Sequence, residues 1–210
     1  MADLRGASWS VQSFSGDPGR EVEGCLARAF YPDPLFGFFA PHRRREYDLL
    51  PDVFRAFMAD AAPFGRIWTA VTGGEVPRVI GAAVWLPPGT MPRPWRRELM
   101  MQIRLGRLLL RGQHLSIGLR LLSAVDGVHP DEPHWYLAFL GTDPVMQGRG
   151  VGSALLQPVL AEADETAVSC YLETQKEENL AFYGRHGFEV QRTVSIPGSP
   201  TVWCMSRRPR

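Results

Sequence analysis

The chain has 210 residues, is 45% apolar and carries a formal net charge of +1. That size suits one domain, residues 1–210, with a core of its own, and the balanced charge excludes a general nucleic-acid binder. Cys25, Cys170 and Cys204 are odd in number, and no two are spaced like metal ligands, which argues for a reducing compartment and against disulfides or zinc. The first five residues lack a signal-peptide apolar run, and no stretch of about 18 uninterrupted apolar residues occurs. A cytoplasmic protein is expected, monomeric or homodimeric, with no membrane or nucleic-acid partner.

Residues 8–14 alternate apolar and polar and read as a first strand. Asp17-Pro18 reads as a helix start, with Val22, Cys25, Leu26 and Ala29 at helical spacing, and Tyr31-Pro32-Asp33-Pro34 ends that helix. Residues 35–39 read as an aromatic loop. A second helical stretch is expected over about 42–61, divided by Pro51. Residues 66–72 and 79–86 read as strands joined by a turn that begins at Gly73-Gly74, and Pro87-Pro88-Gly89 stops the second.

From Met91 to about Val125 the chain is rich in Arg and Leu and predicts two helices. Arg93, Arg96, Arg97, Arg104, Arg107 and Arg111 accompany Leu99, Ile103, Leu108 and Leu110 there. A solvated face packed over a binding site is favoured over a membrane-surface helix. Trp85, Trp95 and Trp135 are assigned to the core rather than to an aromatic ligand, and Cys170 to a buried thiol.

The last third reads strand 135–142, glycine loop 147–152, helix 153–165, strand 168–173, helix 178–186, strand 188–194 and strand 201–206. A strand, helix, strand order implies a parallel pair with a crossover helix, and the last two strands an antiparallel hairpin. The whole is a mixed α/β sheet. Pro158 should kink the helix after the loop or shift its start.

Gln147-Gly148-Arg149-Gly150-Val151-Gly152 lies between a strand and a helix. Its glycines allow a tight turn and close backbone approach, and a helix start offers unpaired N–H groups to a phosphate. The alternative is a plain strand-to-helix turn. No Gly-Lys-Ser/Thr follows, so it is not a Walker loop, and its glycine spacing is not the dinucleotide fingerprint. Downstream, Asn179 and Tyr183 are four residues apart and share a helix face, with Gly187 placed to cap the helix. An ordinary amphipathic helix would read the same.

Gln-x-x-Gly-x-Gly opening a helix, then a strand, then Asn179-x-x-x-Tyr183 and Gly187-Phe188, resembles the GCN5-related N-acetyltransferase (GNAT) superfamily. Residues 140–144 look like that family's central strand and its exit. Residues 134–138 and 171–174, with Trp203-Cys204-Met205, look like puromycin N-acetyltransferase and its actinobacterial relatives. The resemblance implies a GNAT fold: a mixed central sheet of about seven strands, flanking helices, and a helical insertion (about 87–133) between strands 3 and 4.

It also implies acetyl-CoA as cosubstrate, no metal, and direct attack of an amine on the thioester. Gln147, Gly148, Arg149, Gly150, Val151, Gly152 and Ser153 would hold the pyrophosphate. The pantetheine arm would add along Leu140, Gly141 and Thr142 like an extra strand, which requires that strand to splay from residues 171–173. The backbone N–H near Leu140 would polarise the thioester carbonyl. Asn179 would bond the cofactor or fix the helix carrying Tyr183, the candidate general acid. Relatives often place a basic carboxylate on the central strand, but residues 135–140 contain none. Glu173 is then the candidate base, with His134, His129 or a water chain as alternatives. The expected acceptor is a small-molecule amine, an antibiotic or other xenobiotic among the possibilities. A protein N-acetyltransferase and a non-catalytic acyl-CoA sensor are the other readings.

Overall fold

Strands β1 (Trp9–Ser13), β2 (Ile67–Thr72), β3 (Val79–Leu86), β4 (Trp135–Thr142), β5 (Cys170–Thr174), β6 (Glu189–Val194) and β7 (Val202–Arg207) form one sheet, ordered β1-β2-β3-β4-β5-β7-β6. The computed structural model describes residues 8–14, 20–40, 42–44, 49–64, 66–106 and 114–210. β4 and β5 run parallel and are joined by α7 (Val151–Glu165); the other neighbouring pairs are antiparallel. The C-terminal hairpin folds back so that its second strand, β7, pairs with β5.

The remaining helices are α1 (Arg20–Phe30), α2 (Pro34–Phe39), α3 (His42–Arg44), α4 (Leu50–Ala61), α5 (Trp95–Arg104), α6 (Leu115–Asp126) and α8 (Glu178–Arg185). The helix start expected at Asp17-Pro18 lies outside the described residues. Residues 35–39 are not a loop. Asp33 caps α2 by accepting the Leu35 N–H at 2.9 Å, and Pro34 takes a first-turn position where its missing N–H costs nothing. Pro51 likewise sits at the start of α4 instead of dividing a helix. α7 begins at Val151, two residues earlier than expected, and runs to Glu165 with Pro158 inside it.

β3 is apolar on both faces and buried along nearly its whole length. Ala82, Val84 and Leu86 meet Val22 and Leu26 of α1 and Leu50, Phe54 and Met58 of α4. Ala83 and Trp85, with Leu137 of β4, meet Leu155, Leu156, Val159 and Leu160 of α7. Each such large side chain contributes about 1.5–3 kcal/mol on burial. Leu121 of α6 extends the cover onto Tyr171, Val202 and Cys204. Trp85 and Trp135 are core residues, but Trp95 is 70% exposed on α5. Cys25, Cys170 and Cys204 are buried free thiols.

The insertion between β3 and β4 carries α5 and α6 and is pinned to α4 by Asp60. Arg97 Nε and Nη2 donate to the Asp60 carboxylate at 2.8 Å, Arg93 Nε donates at 2.9 Å, and Arg97 Nη1 reaches the Thr90 carbonyl. Burial raises the Asp60 carboxyl, but the two guanidiniums outweigh it and hold the group below its ordinary range. Arg93 and Arg97 are therefore not on a solvated face. Arg107, Leu108, Leu110 and Arg111 lie outside the described residues.

β4 contains the irregularity that shapes the site. Its register with β3 pairs Val84 with Phe139 but Trp85 with Leu137, so Ala138 is an extra residue. Ala138 and Phe139 consequently pack on the same side, against the α1–α4 cluster. The backbone direction switches too. The Trp135 N–H bonds Ser169 beside β5, whereas the Asp143 N–H, an even number of residues on, bonds Ile80 beside β3. Alternation back from Asp143 aims the Leu140 and Thr142 amides away from β3. The parallel register covers Trp135–Leu137 with Cys170–Leu172. Beyond it β4 and β5 diverge, so the splay begins after Tyr171 and Leu172.

Candidate active site

A cavity of about 350 Å³ opens where β4 and β5 separate. One wall is β4 from Tyr136 to Thr142; the opposite wall holds Glu173, Thr174, Asn179 and Tyr183. Leu140, Gly141, Thr142 and Gln147 of the expected cofactor set line it with Asn179 and Tyr183, whereas Gly148, Arg149, Gly150, Val151, Gly152 and Ser153 do not.

The loop leading into α7 is exposed rather than packed. Gln147, Gly148, Arg149 and Gly150 are exposed. Gly148 and Gly150 have φ of +74° and +79°, a region that side chains with a Cβ rarely adopt, and a Cβ at either would meet nothing within 4 Å. No side chain caps α7, whose N-cap is Gly150, so its first N–H groups point outward from a positive helix end. This cradle fits a pyrophosphate. Gln147 Nε2 donates to the Thr142 carbonyl at 3.2 Å and folds the loop onto β4. Arg28 of α1 holds the strand's exit by bonding Asp143 at 2.8 Å. Ser153 Oγ contacts His186 Nε2 at 3.0 Å, joining α7 to the end of α8.

Tyr183 is 7% exposed and lies between Phe182 and Phe188. Burial, reinforced by the Asp33 charge, pushes its phenol above the ordinary value of 10, so it remains a proton donor. Asn179 Nδ2 donates to Thr174 Oγ1 at 3.0 Å, which ties α8 to the end of β5.

Glu173 is the carboxylate of the splayed wall. Tyr136 donates to its Oε2 at 2.6 Å, and His129 Nδ1 stands 3.4 Å from its Oε1. His129 Nε2 is 3.1 Å from His134 Nε2, and His134 Nδ1 is 2.7 Å from the Glu132 carbonyl. Glu173, His129 and His134, three separate candidates in sequence, are one connected group.

The other arm of the cavity is apolar. Phe30 of α1, Phe36 and Phe39 of α2, Val53 and Phe57 of α4, Phe139 of β4, and Leu115, Leu119, Leu122 and Val125 of α6 line it. Gly118 lets Phe39 lie against α6, since a Cβ there would overlap the ring. Asp33 also lines the cavity, and burial raises its carboxyl. Sequence reasoning assigns the acceptor pocket to about residues 31–62 and 87–133 without naming its side chains; the one local signal was the aromatic run Leu35-Phe36-Gly37-Phe38-Phe39 beside a capping Asp-Pro pair.

The sequence pattern of the acetyltransferase (GNAT) family matches residues 27–188, well over half of the chain. The chain belongs to the GNAT family. The GNAT family transfers acetyl groups from acetyl-CoA, and this member is an N-acetyltransferase. An uncharacterized N-acetyltransferase of Schizosaccharomyces pombe is 24% identical over 188 residues, which cover 84% of this chain and 73% of that one. A probable serine/threonine-protein kinase of Dictyostelium discoideum is 35% identical over 80 residues, 37% of this chain but only 11% of that longer protein. Two solved structures share the GNAT fold. Polyamine N-acetyltransferase of Drosophila melanogaster, which forms N-acetylagmatine, has a TM-score of 0.67, 19% identity, and coverage of 96% of this chain and 100% of its own. Arylalkylamine N-acetyltransferase 2 of Aedes aegypti has a TM-score of 0.66, 13% identity, and coverage of 96% and 99%. Among the described residues, no group of ligating side chains could hold a metal ion, and no helix is long and apolar enough to cross a membrane.

Proposed function

We propose that this enzyme acetylates the primary amine of a small, largely apolar molecule. The observation that carries the reading is a single cavity. It joins the splayed β4 edge and Tyr183 to an aromatic arm whose polar groups are few. Polyamine, agmatine and arylalkylamine acetyltransferases among the structural neighbours support a small-amine acceptor. The lining selects among these. A second ammonium group buried in the phenylalanine arm would lose several kcal/mol of hydration, and the carboxyl beside it, Asp33, is pushed by burial toward its neutral form. The likeness of residues 134–138 and 171–174 to puromycin N-acetyltransferase keeps aromatic antibiotic amines in this class.

Acetyl-CoA supplies an activated acetyl thioester. The exposed loop at 147–152 binds its pyrophosphate through backbone N–H groups, and β4 from Leu140 to Thr142 pairs with the pantetheine arm. The Leu140 N–H faces the gap and stabilises the developing oxyanion. Glu173 accepts the proton of the acceptor's ammonium group. The freed amine nitrogen attacks the thioester carbon, the C–S bond breaks, Tyr183 donates its proton to the departing thiolate, and the second proton that the nitrogen sheds restores the Tyr183 phenol.

A thiol-release assay with acetyl-CoA tests this against phenethylamine-type amines, puromycin, agmatine, spermidine and a lysine peptide. The apolar monoamines should give the highest kcat/KM, and Tyr183→Phe should lower kcat by about 10²–10⁴-fold. Preference for spermidine or the peptide would overturn the acceptor class. Acetyl-CoA binding without release from any amine would favour the sensor.

A further inference from the structure

We propose that Glu173, His129 and His134 form a proton exit for the acceptor amine, leading from the cavity to the exposed end of the insertion at Glu132. This rests on the acetyl-transfer reading above and deepens it.

Hydrogen-bond valence carries the argument. The Glu132 carbonyl only accepts, so the 2.7 Å contact requires a proton on His134 Nδ1. Burial pushes the His134 imidazole below its ordinary 6.5, against the opposing effect of that hydrogen bond, so near neutral pH its Nε2 carries a lone pair. The 3.1 Å contact between the two Nε2 atoms then requires the proton on His129. His129 Nδ1 faces Glu173 Oε1, and a lone pair there would oppose a carboxylate. The Glu173–His129 pair must therefore hold one shared proton. Every contact in the chain has one donor and one acceptor, and one end of it lines the cavity.

Charged and titratable neighbours frame the group on all sides. Tyr136 donates to Glu173, and burial followed by the Glu173 charge keeps its phenol protonated. The Tyr171 ring packs edge-on to both imidazoles, 4.6 and 5.5 Å away by centroids. Asp126 and Arg93 add opposite charges from α6 and from the residues preceding α5.

When the ammonium group of the acceptor gives its proton to Glu173, the pair holds two protons, one on the carboxyl and one on His129 Nδ1. His129, protonated on both nitrogens, passes its Nε2 proton to His134 Nε2, and His134 releases its Nδ1 proton to water beside Glu132. The amine is left neutral and nucleophilic, and one proton has left the group for the one that entered. Both imidazoles then carry the opposite tautomer, and exchange of each ring's proton with water returns the Glu173–His129 pair to its one shared proton. Only Glu173 touches the amine; the histidines act through it.

The test measures kcat/KM against pH for His129→Gln, His134→Gln and the wild type, with acetyl-CoA saturating. At pH 7, where a primary amine is protonated, each variant should lose about 10²-fold. Near pH 10 the amine sheds its proton unaided, and the deficit should shrink to within about threefold. Acetyl-CoA should still raise the melting temperature of both variants by as much as it raises the wild type's. Imidazole 15N NMR of the wild type should show protonated Nδ1 and bare Nε2 on His134, with Nε2 of His129 protonated. Equal losses at both pH values, or the opposite His134 tautomer, would overturn the relay. A wild type that releases no thiol with any amine defeats the acetyl-transfer reading and, with it, the relay's role; the NMR readout still decides whether the protons are arranged as described.

Discussion

Asn179 Nδ2 donates to Thr174 Oγ1 at 3.0 Å, so the first turn of α8 is fastened to the last residue of β5. Tyr183 stands one turn further along the same face, and both side chains line the cavity. The bond thus sets where the phenol of the proposed acid stands. Asn179→Ala should cost about 1 kcal/mol of stability, read as a lower denaturant midpoint. It should also lower kcat more than it weakens acetyl-CoA binding. A variant with unchanged kcat and a cofactor Kd raised more than tenfold would make Asn179 a cofactor ligand instead.

The loop glycines make a second prediction. A Cβ at Gly150 has room, so any penalty comes from φ of +79°, a conformation that costs an ordinary residue about 1–2 kcal/mol. In Gly150→Ala the loop should relax and tilt its N–H groups, weakening acetyl-CoA binding about 5–30-fold by calorimetry. Gly106→Ala, also in open space but without positive φ, is the control and should bind normally.

Asp60 holds the insertion against α4. Asp60→Asn would leave Arg93 and Arg97 facing each other across a mostly buried site, and should destabilise the protein by about 3–5 kcal/mol. The acceptor KM should rise as the insertion loosens, while acetyl-CoA affinity holds. A melting temperature within a degree of wild type would show that the insertion is anchored elsewhere.

Stability should also fall on mild acidification. Burial lowers His134 below 6.5; burial and then Arg185, Arg207 and Arg210 lower His186. The unfolded chain therefore takes up protons on both rings before the folded protein does. Their contribution is complete above 6.5 and is lost as pH falls from there toward the folded values. Urea midpoints should drop between about pH 7.5 and 5.5, and the His134→Gln/His186→Gln double variant should lose part of that drop. An unchanged slope in the double variant would assign it to other groups.

The candidate cofactor half of the site could be proposed from the sequence because its signals are local. Glycines at 148 and 150, a helix start, and Asn179 with Tyr183 four residues on all fall within the crossover unit and the helix that follows it. The fold class and the helical insertion were readable from element order. The acceptor arm was not, because Phe39, Phe57, Phe139 and Leu122 come from four distant segments and each reads as ordinary core. α2 was misread because its aromatic run masks helical spacing, although Asp33-Pro34 carried the capping signal. Nor could the sequence order reveal that β7 reaches β5 before β6, since a hairpin can dock by either strand. The relay needed coordinates as well, with His129 lying 44 residues from Glu173.

Ala138 gives these pieces a common origin. One surplus residue bends β4 where its pairing with β5 ends. A sheet with no such residue could continue the ladder and would be more stable by the rungs it gained. This chain forgoes those rungs at its centre, and the amides it leaves over belong to whatever visitor can complete the weave. In the proposed reaction, binding is a deferred step of folding: the last strand of the sheet arrives from solution, carries its cargo in, and leaves.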